Sequence, residues 1–261
     1  MKIRVYAGNS AHHQFHATAF VEGLAANGIK AKIHDFTNYQ PSTLAVFWSH
    51  RKKMIIENQR SNGDDYLVME CGYLGDREKN ISLGFNGLNG HATFPHLDEA
   101  RGRSWYPQIK PWRPAGDYYL ITAQVPGDEN LADCPDYPGW LRSLPQTFNG
   151  LPVFIRYHPK GAVQGVKHQA IDGDLADNIA GAAGVWTWSS NSAVDALLAG
   201  KPVTTHSDGS ICRIYTAKSI NCQVPEPNRQ RMVDQLASYQ WTTAEIRNGA
   251  AWAALGSSKY D

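Results

Sequence analysis

Short apolar runs alternate along this chain with segments whose apolar residues recur at helical spacing. "KIRVYAG" reads as a strand, and "AHHQFHATAFVEGLAANG" follows as a helix with Phe15, Ala19, Phe20 and Leu24 on one face and Gly28 ending it. "IKAKIHDF", "LAVFWSH" and "DYLVMEC" are further strands, with "RKKMIIENQRSNG" as the helix between the last two. Strands separated by helical connections predict a parallel sheet with crossover helices. From Gly72 to Gly116 the pattern gives way to Gly, Asn, Pro and aromatic residues, which reads as loop and linker. The alternation then resumes: strand "DYYLITAQ", helix around "YPGWLRSLPQTF", strand "LPVFIRYHP", helix "DLADNIAGA", strand "GVWTWS", helix "NSAVDALLAG", strand "KPVTTHS". Helical segments "NRQRMVDQLASYQ" and "TAEIRNGAAWAAL" finish it. The expectation is an α/β protein of two Rossmann-like domains, residues 1–113 and 114–261, with parallel sheets facing a cleft. Ligands bind at the carboxyl ends of strands in open parallel sheets, so the cleft would hold the site.

Composition narrows the class. The chain has 261 residues, 42% of them hydrophobic and 19% charged, which fits folded domains with cores of their own. No apolar run approaches the ~20 residues of a membrane span, and "MKIRVYAGNS" enters a strand pattern directly, so a cytoplasmic location is expected. Cys71, Cys134, Cys212 and Cys222 match no metal-ligand spacing and no disulfide framework. A formal net charge of +1 gives no global attraction to nucleic acid or anionic lipid.

Polar residues at strand ends are the candidates for chemistry. The strand of residues 185–188 ends at Ser189 and Ser190, which with Asn191 start a helix. Uncapped N–H groups there, the positive end of the dipole and serine hydroxyls suit a phosphate; the same residues also fit plain helix capping. "IRYHPK" ends another strand of the same half and brings Arg156, His158, Pro159 and Lys160 to that edge, His158 fitting either a donor to a leaving group or a structural histidine. Glu70 ends "DYLVM" in the first half, where a partly desolvated carboxylate could take a proton from a hydroxyl or fix a loop through Arg77. His12 and His13, with His16, lie at the first strand-to-helix turn and are read as lining the acceptor's side, with Asp76, Arg77 and His91 reaching it from the irregular segment. Only His12 and His16 are spaced i, i+4 and no carboxylate completes a set, so no metal is expected.

In this order, "YYLITAQVPGDENL", "VFIRYHPKG" and "GVWTWSSNSAVDALLAGKPVTTHSDG" resemble the C-terminal half of the bacterial capsule β-Kdo transferases and, more distantly, the polysialyltransferases. The resemblance implies a GT-B fold, a CMP-activated donor held by an HP motif and a serine pair, and no metal, because protein groups stabilise the leaving phosphate. It places His158 and Pro159 on the HP motif, Ser189 and Ser190 on the serine pair, and Gln124 and Asp128 on a Q-x-x-x-D element. Glu70 and Gly72 match an acidic-acidic-glycine motif in which Cys71 stands where a second acid is expected.

The reading that follows is a metal-independent, inverting glycosyltransferase without a cofactor, moving a sugar from a nucleotide-sugar donor to a saccharide or glycolipid hydroxyl. Glu70 would be the base and His158 would stabilise the departing nucleotide. Two alternatives stand beside it. One is a DNA glycosyltransferase acting on hydroxymethylated bases, with Arg51, Lys52, Lys53 and Arg60 as its phosphate-contacting patch. The other is a non-catalytic nucleotide or sugar binding module.

Overall fold

The computed structural model describes residues 1–222 and 225–260. In chain order its elements are β1 (Ile3–Ala7), α1 (Ala11–Ala26), β2 (Ile33–Asp35), β3 (Leu44–Trp48), α2 (Lys53–Asn62), β4 (Asp65–Cys71) and β5 (Asn80–Phe85). They continue with β6 (Tyr118–Thr122), α3 (Tyr137–Ser143), β7 (Thr147–Phe148), β8 (Leu151–Arg156), β9 (Gln169–Ala170), α4 (Leu175–Gly181), β10 (Ala182–Thr187), α5 (Ser192–Leu198) and β11 (Val203–Thr205). The chain ends with α6 (Arg229–Tyr239), β12 (Gln240–Thr242), α7 (Thr243–Arg247) and α8 (Ala250–Tyr260).

These elements form two compact units, one of Met1–Arg103 with Val233 onward, the other of Ser104–Met232. The first has a six-stranded sheet in the order β12-β5-β4-β3-β1-β2. Its strands β2, β1, β3 and β4 are parallel, as the alternation requires. Strand β3, "LAVFW", is buried at every position, which suits a strand covered on both faces.

Two features differ from the sequence expectation. Residues 80–85 form β5 within the segment read as loop, antiparallel to β4. Ile81, Leu83 and Phe85 alternate as a half-buried strand should, and all three are fully buried. The second domain also does not extend to residue 261. Strand β12 pairs antiparallel with β5, Trp241 opposite Ile81, and Trp241, Ile246, Trp252 and Leu255 complete the core of the first sheet. The first unit needs this return because β5 would otherwise be an open edge. Gln240, buried within it, accepts from the N–H groups of Tyr73 and Leu74 and donates to the Leu74 carbonyl, fixing the β4–β5 turn.

Helix α1 packs so closely on α7 that a Cβ on Gly23 would stand 1.9 Å from the Ile246 carbonyl oxygen. Gly23→Ala is therefore expected to destabilise the protein by about 1–3 kcal/mol, the usual range for overpacking, read as a lower urea midpoint at unchanged slope. An unchanged midpoint would mean that α7 does not lie on α1. Of the apolar face read for α1, Ala19, Phe20 and Leu24 are buried; Phe15 is half exposed under the Arg247 guanidinium, and His16 is buried in its place.

The second unit holds the order β11-β10-β6-β8-β7. Strands β11, β10, β6 and β8 are parallel, and β7 closes one end as an antiparallel hairpin strand. Ile121, Val153, Ile155 and Trp186 pack there against Tyr137 and Leu141 of α3. Lys201 is buried and donates to the Ala115 carbonyl at 2.8 Å.

Candidate functional site

In the second unit the chain leaves β6 for β8 on one side and returns to β10 on the other. The strand order therefore reverses between β6 and β10, the place where open α/β sheets form a ligand crevice at their carboxyl ends. The register fixes what lies there. Thr122 pairs with Arg156 of β8, and Ile121 pairs with Trp186 of β10, so Thr122, Arg156 and Thr187 stand on one level. Gln124, His158 and Ser189 each lie two residues beyond the carboxyl ends of these three neighbouring strands.

The serine pair divides its roles. Ser189 is buried; its hydroxyl donates to the Asn130 carbonyl at 2.6 Å and accepts from Gln124 Nε2 at 3.1 Å. Its N–H donates to Gln124 Oε1 at 2.9 Å, so Ser189 and Gln124 together lock β6 to β10. Ser190 is only half-buried. Its oxygen accepts from Ser192 N at 3.2 Å and from Ser192 Oγ at 3.0 Å, and Ser192 Oγ is 2.7 Å from Thr122 Oγ1. A relay running Thr122 to Ser192 to Ser190 leaves the Ser190 hydroxyl proton as the donor available to a ligand. Asn191 stands at the start of α5 with no side-chain cap bond. Helix α5 has seven residues, so its dipole adds little and the side chains carry the polarity.

On β8, Arg156 donates to the Gly173 carbonyl at 3.3 Å. His158, Pro159 and Lys160 are exposed just beyond the strand. His158 Nδ1 accepts from the Lys160 N–H at 3.1 Å, which leaves Nε2 to carry the proton of the neutral ring and turns His158 into a donor. Asp128 is committed to its own turn, accepting from Asn130 N and Nδ2, both at 2.9 Å. Sequence reasoning missed three supports. Tyr137, whose phenol burial pushes well above its usual range, accepts from the Gln124 N–H at 2.7 Å and so holds that strand end. Asp133 accepts from Trp188 Nε1 at 2.7 Å and from Ser207 Oγ at 2.6 Å. Thr122 feeds the serine relay. Only the polarity of Thr122 at the end of an apolar run was visible in advance.

In the first unit Glu70 lies at the carboxyl end of β4, one residue beyond the Trp48–Met69 pair. It is half-buried, and Oε1 accepts from the Cys71 N–H at 3.1 Å. Burial, then the adjacent Glu70 carboxylate, pushes the Cys71 thiol up to about 11. The thiol is thus protonated at neutral pH and cannot replace the second acid as a base.

At the same edge His12, His13 and His16 gather on Trp48. His16 stacks on the indole at 4.6 Å, and His12 meets it edge-on at 4.3 Å. His16 is pulled down to about 4 by burial and then by His12 and His13; burial and the Lys52 charge lower His13. No group of three or more His, Cys, Asp or Glu among the described residues is placed to hold a metal ion. Asp76 and Arg77 lie in the β4–β5 turn, where Asp76 pairs with Lys79 at 3.0 Å and the Arg77 carbonyl accepts from Gly72 N. His91 does not join this edge. It follows β5, which runs antiparallel to β4 and ends opposite Leu67, so His91 stands toward the amino ends of the parallel strands.

No protein-family model matches the chain. No curated protein matches it either. Among solved structures it is similar to the β-Kdo 2,7 transferase of Thermosulfurimonas dismutans KpsC, at 13% identity and a TM-score of 0.60 over 97% of this chain and 100% of that one. It is also similar to the β-Kdo 2,4 transferase of the same protein, at 13% identity and a TM-score of 0.58 over 92% of this chain and 90% of that one. The chain thus has the GT-B-like α/β fold expected from its sequence, and the resemblance to the capsule β-Kdo transferases is matched at the level of the fold.

Proposed function

We propose that the chain is a glycosyltransferase that moves a sugar from a nucleotide-sugar donor to a saccharide or glycolipid hydroxyl. The observation that carries the reading is that Gln124, His158 and Ser189 follow the carboxyl ends of β6, β8 and β10 around the β6–β10 switch point, in a fold common to two sugar transferases. In this reading the donor's phosphate meets the Ser190 hydroxyl and His158 Nε2–H, with Arg156, Lys160 and Asn191 around it, while Gln124 and Ser189 hold the frame. Charge grows on the phosphate as the glycosidic bond breaks, so donors already oriented there stabilise the transition state without reorganising. These groups can do so without a metal. Glu70 removes the proton of the attacking hydroxyl, and a single displacement gives inversion at the anomeric carbon.

A screen of CMP, UDP, GDP and dTDP by thermal shift tests the donor half. One nucleotide is expected to raise the melting temperature, with about 2.7 kcal/mol of stabilisation at a hundredfold excess over its Kd, and its sugar conjugate is expected to be consumed. No shift with any of the four would end the reading. If a nucleotide binds while no conjugate turns over with any saccharide, the chain is a binding module instead. The DNA alternative draws no support from the comparisons. Of its patch, the Lys52 ammonium sits 4.1 Å from the Phe36 ring centroid, the Arg60 guanidinium donates to the Tyr66 hydroxyl, and Arg51 and Lys53 are exposed.

A further inference from the structure

We infer that the first unit binds an oxyanionic group of the acceptor, a phosphate or a carboxylate, where α1 begins between the carboxyl ends of β1 and β3. That the bound molecule is the acceptor rests on the transferase reading; the anion site itself does not.

The chain leaves β1 for β2 on one side and returns to β3 on the other, so this is the strand-order reversal of the first sheet, as β6–β10 is of the second. Helix α1 is 16 residues long, and the Ser10 hydroxyl before it makes no capping bond, which leaves first-turn N–H groups for another acceptor. Gly8 lets the turn lie against Phe36, since a Cβ there would stand 2.3 Å from that ring. Strand β3 is followed by Ser49 with φ of 68°, a left-handed conformation that serine rarely adopts.

Electrostatics point the same way. His13 is depressed by burial, Lys52 and His12; His16 by burial, His12 and His13; Lys52 by burial and Arg51. No carboxylate offsets any of the three, and among the described residues Lys52 has no acidic salt-bridge partner. The lowered values leave His13 and His16 neutral at pH 7, each able to offer a ring N–H beside the Lys52 ammonium.

The independent observation is His16. It is 3% exposed, yet its Nδ1 has no hydrogen-bond partner. Helical side chains lean toward the N-terminus, so the His16 ring points at the first turn of α1, 4.5 Å from His12. Burying a ring nitrogen unpaired is costly, and an oxyanion at the turn supplies its partner directly or through a water.

The test is to follow the imidazole resonances of the full chain by NMR at low ionic strength while adding inorganic phosphate, with acetate in a parallel series. His12, His13 and His16 are expected to shift saturably with at least one of the two, the more strongly bound one naming the group. Lys52→Met is expected to weaken that binding at least tenfold. His16→Phe, which keeps the ring and removes its nitrogens, should weaken it while leaving the melting temperature in place. Lys30→Met, at an exposed residue on the far side of α1, should change nothing. Shifts that do not saturate with either anion, or equal affinity in wild type and Lys52→Met, would overturn the site. Because these resonances belong to the first unit, a saturable response without any nucleotide binding would retain the anion site and remove only its assignment to an acceptor.

Discussion

Glu70→Gln is expected to lower turnover by about 10²–10⁴-fold, the usual contribution of a general base, while nucleotide affinity stays within twofold. The substitution keeps the shape of the side chain and an oxygen to accept from the Cys71 N–H. It removes the negative charge and with it the capacity to take a proton. The neighbouring thiol is not expected to compensate, because burial, the largest cause of its raised pKa, remains in the variant. A variant that turns over as fast as wild type would show that the proton leaves by another route. A variant that also loses its nucleotide would show that Glu70 supports the fold.

His158→Ala is expected to cost roughly 10²–10³ in kcat, about 2.7–4 kcal/mol, as for loss of one oriented donor to developing charge. Its ring is exposed, and the bond recorded for it is the one it accepts from the Lys160 N–H. The fold should tolerate the change within about 0.5 kcal/mol. A fall confined to KM would mean that His158 binds ground state and transition state alike.

The parts of this protein that follow from local pattern were legible in its sequence. The apolar runs that became β1, β3, β4, β6, β8 and β10 are continuous enough to be strands buried in parallel sheets, and each helix between them forces a crossover. Polar residues at their carboxyl ends followed from the same pattern, which is why Glu70, His158 and Ser189 could be named in advance, while Gln124 was named through the resemblance to the capsule β-Kdo transferases. Pairing between distant segments was not legible. Strand β12 finds its partner more than 150 residues earlier in β5, and no periodicity records such a choice. Ile81, Leu83 and Phe85 did alternate, but the Gly- and Asn-rich residues around them masked the strand. His16 occupies an apolar position without an apolar side chain, so it was not counted in the buried face of α1, where Phe15 was named instead. The division between Ser189 and Ser190 depends on Asn130 and Thr122, which adjoin the pair only after folding.

The most direct test of the central claim, that the second unit's switch point holds the nucleotide, is amide hydrogen exchange of the full chain with and without the stabilising nucleotide. The account predicts added protection concentrated in residues 122–130, 156–161 and 187–193, with none in residues 80–103. Protection absent from those three segments, or concentrated in the first unit, would contradict it.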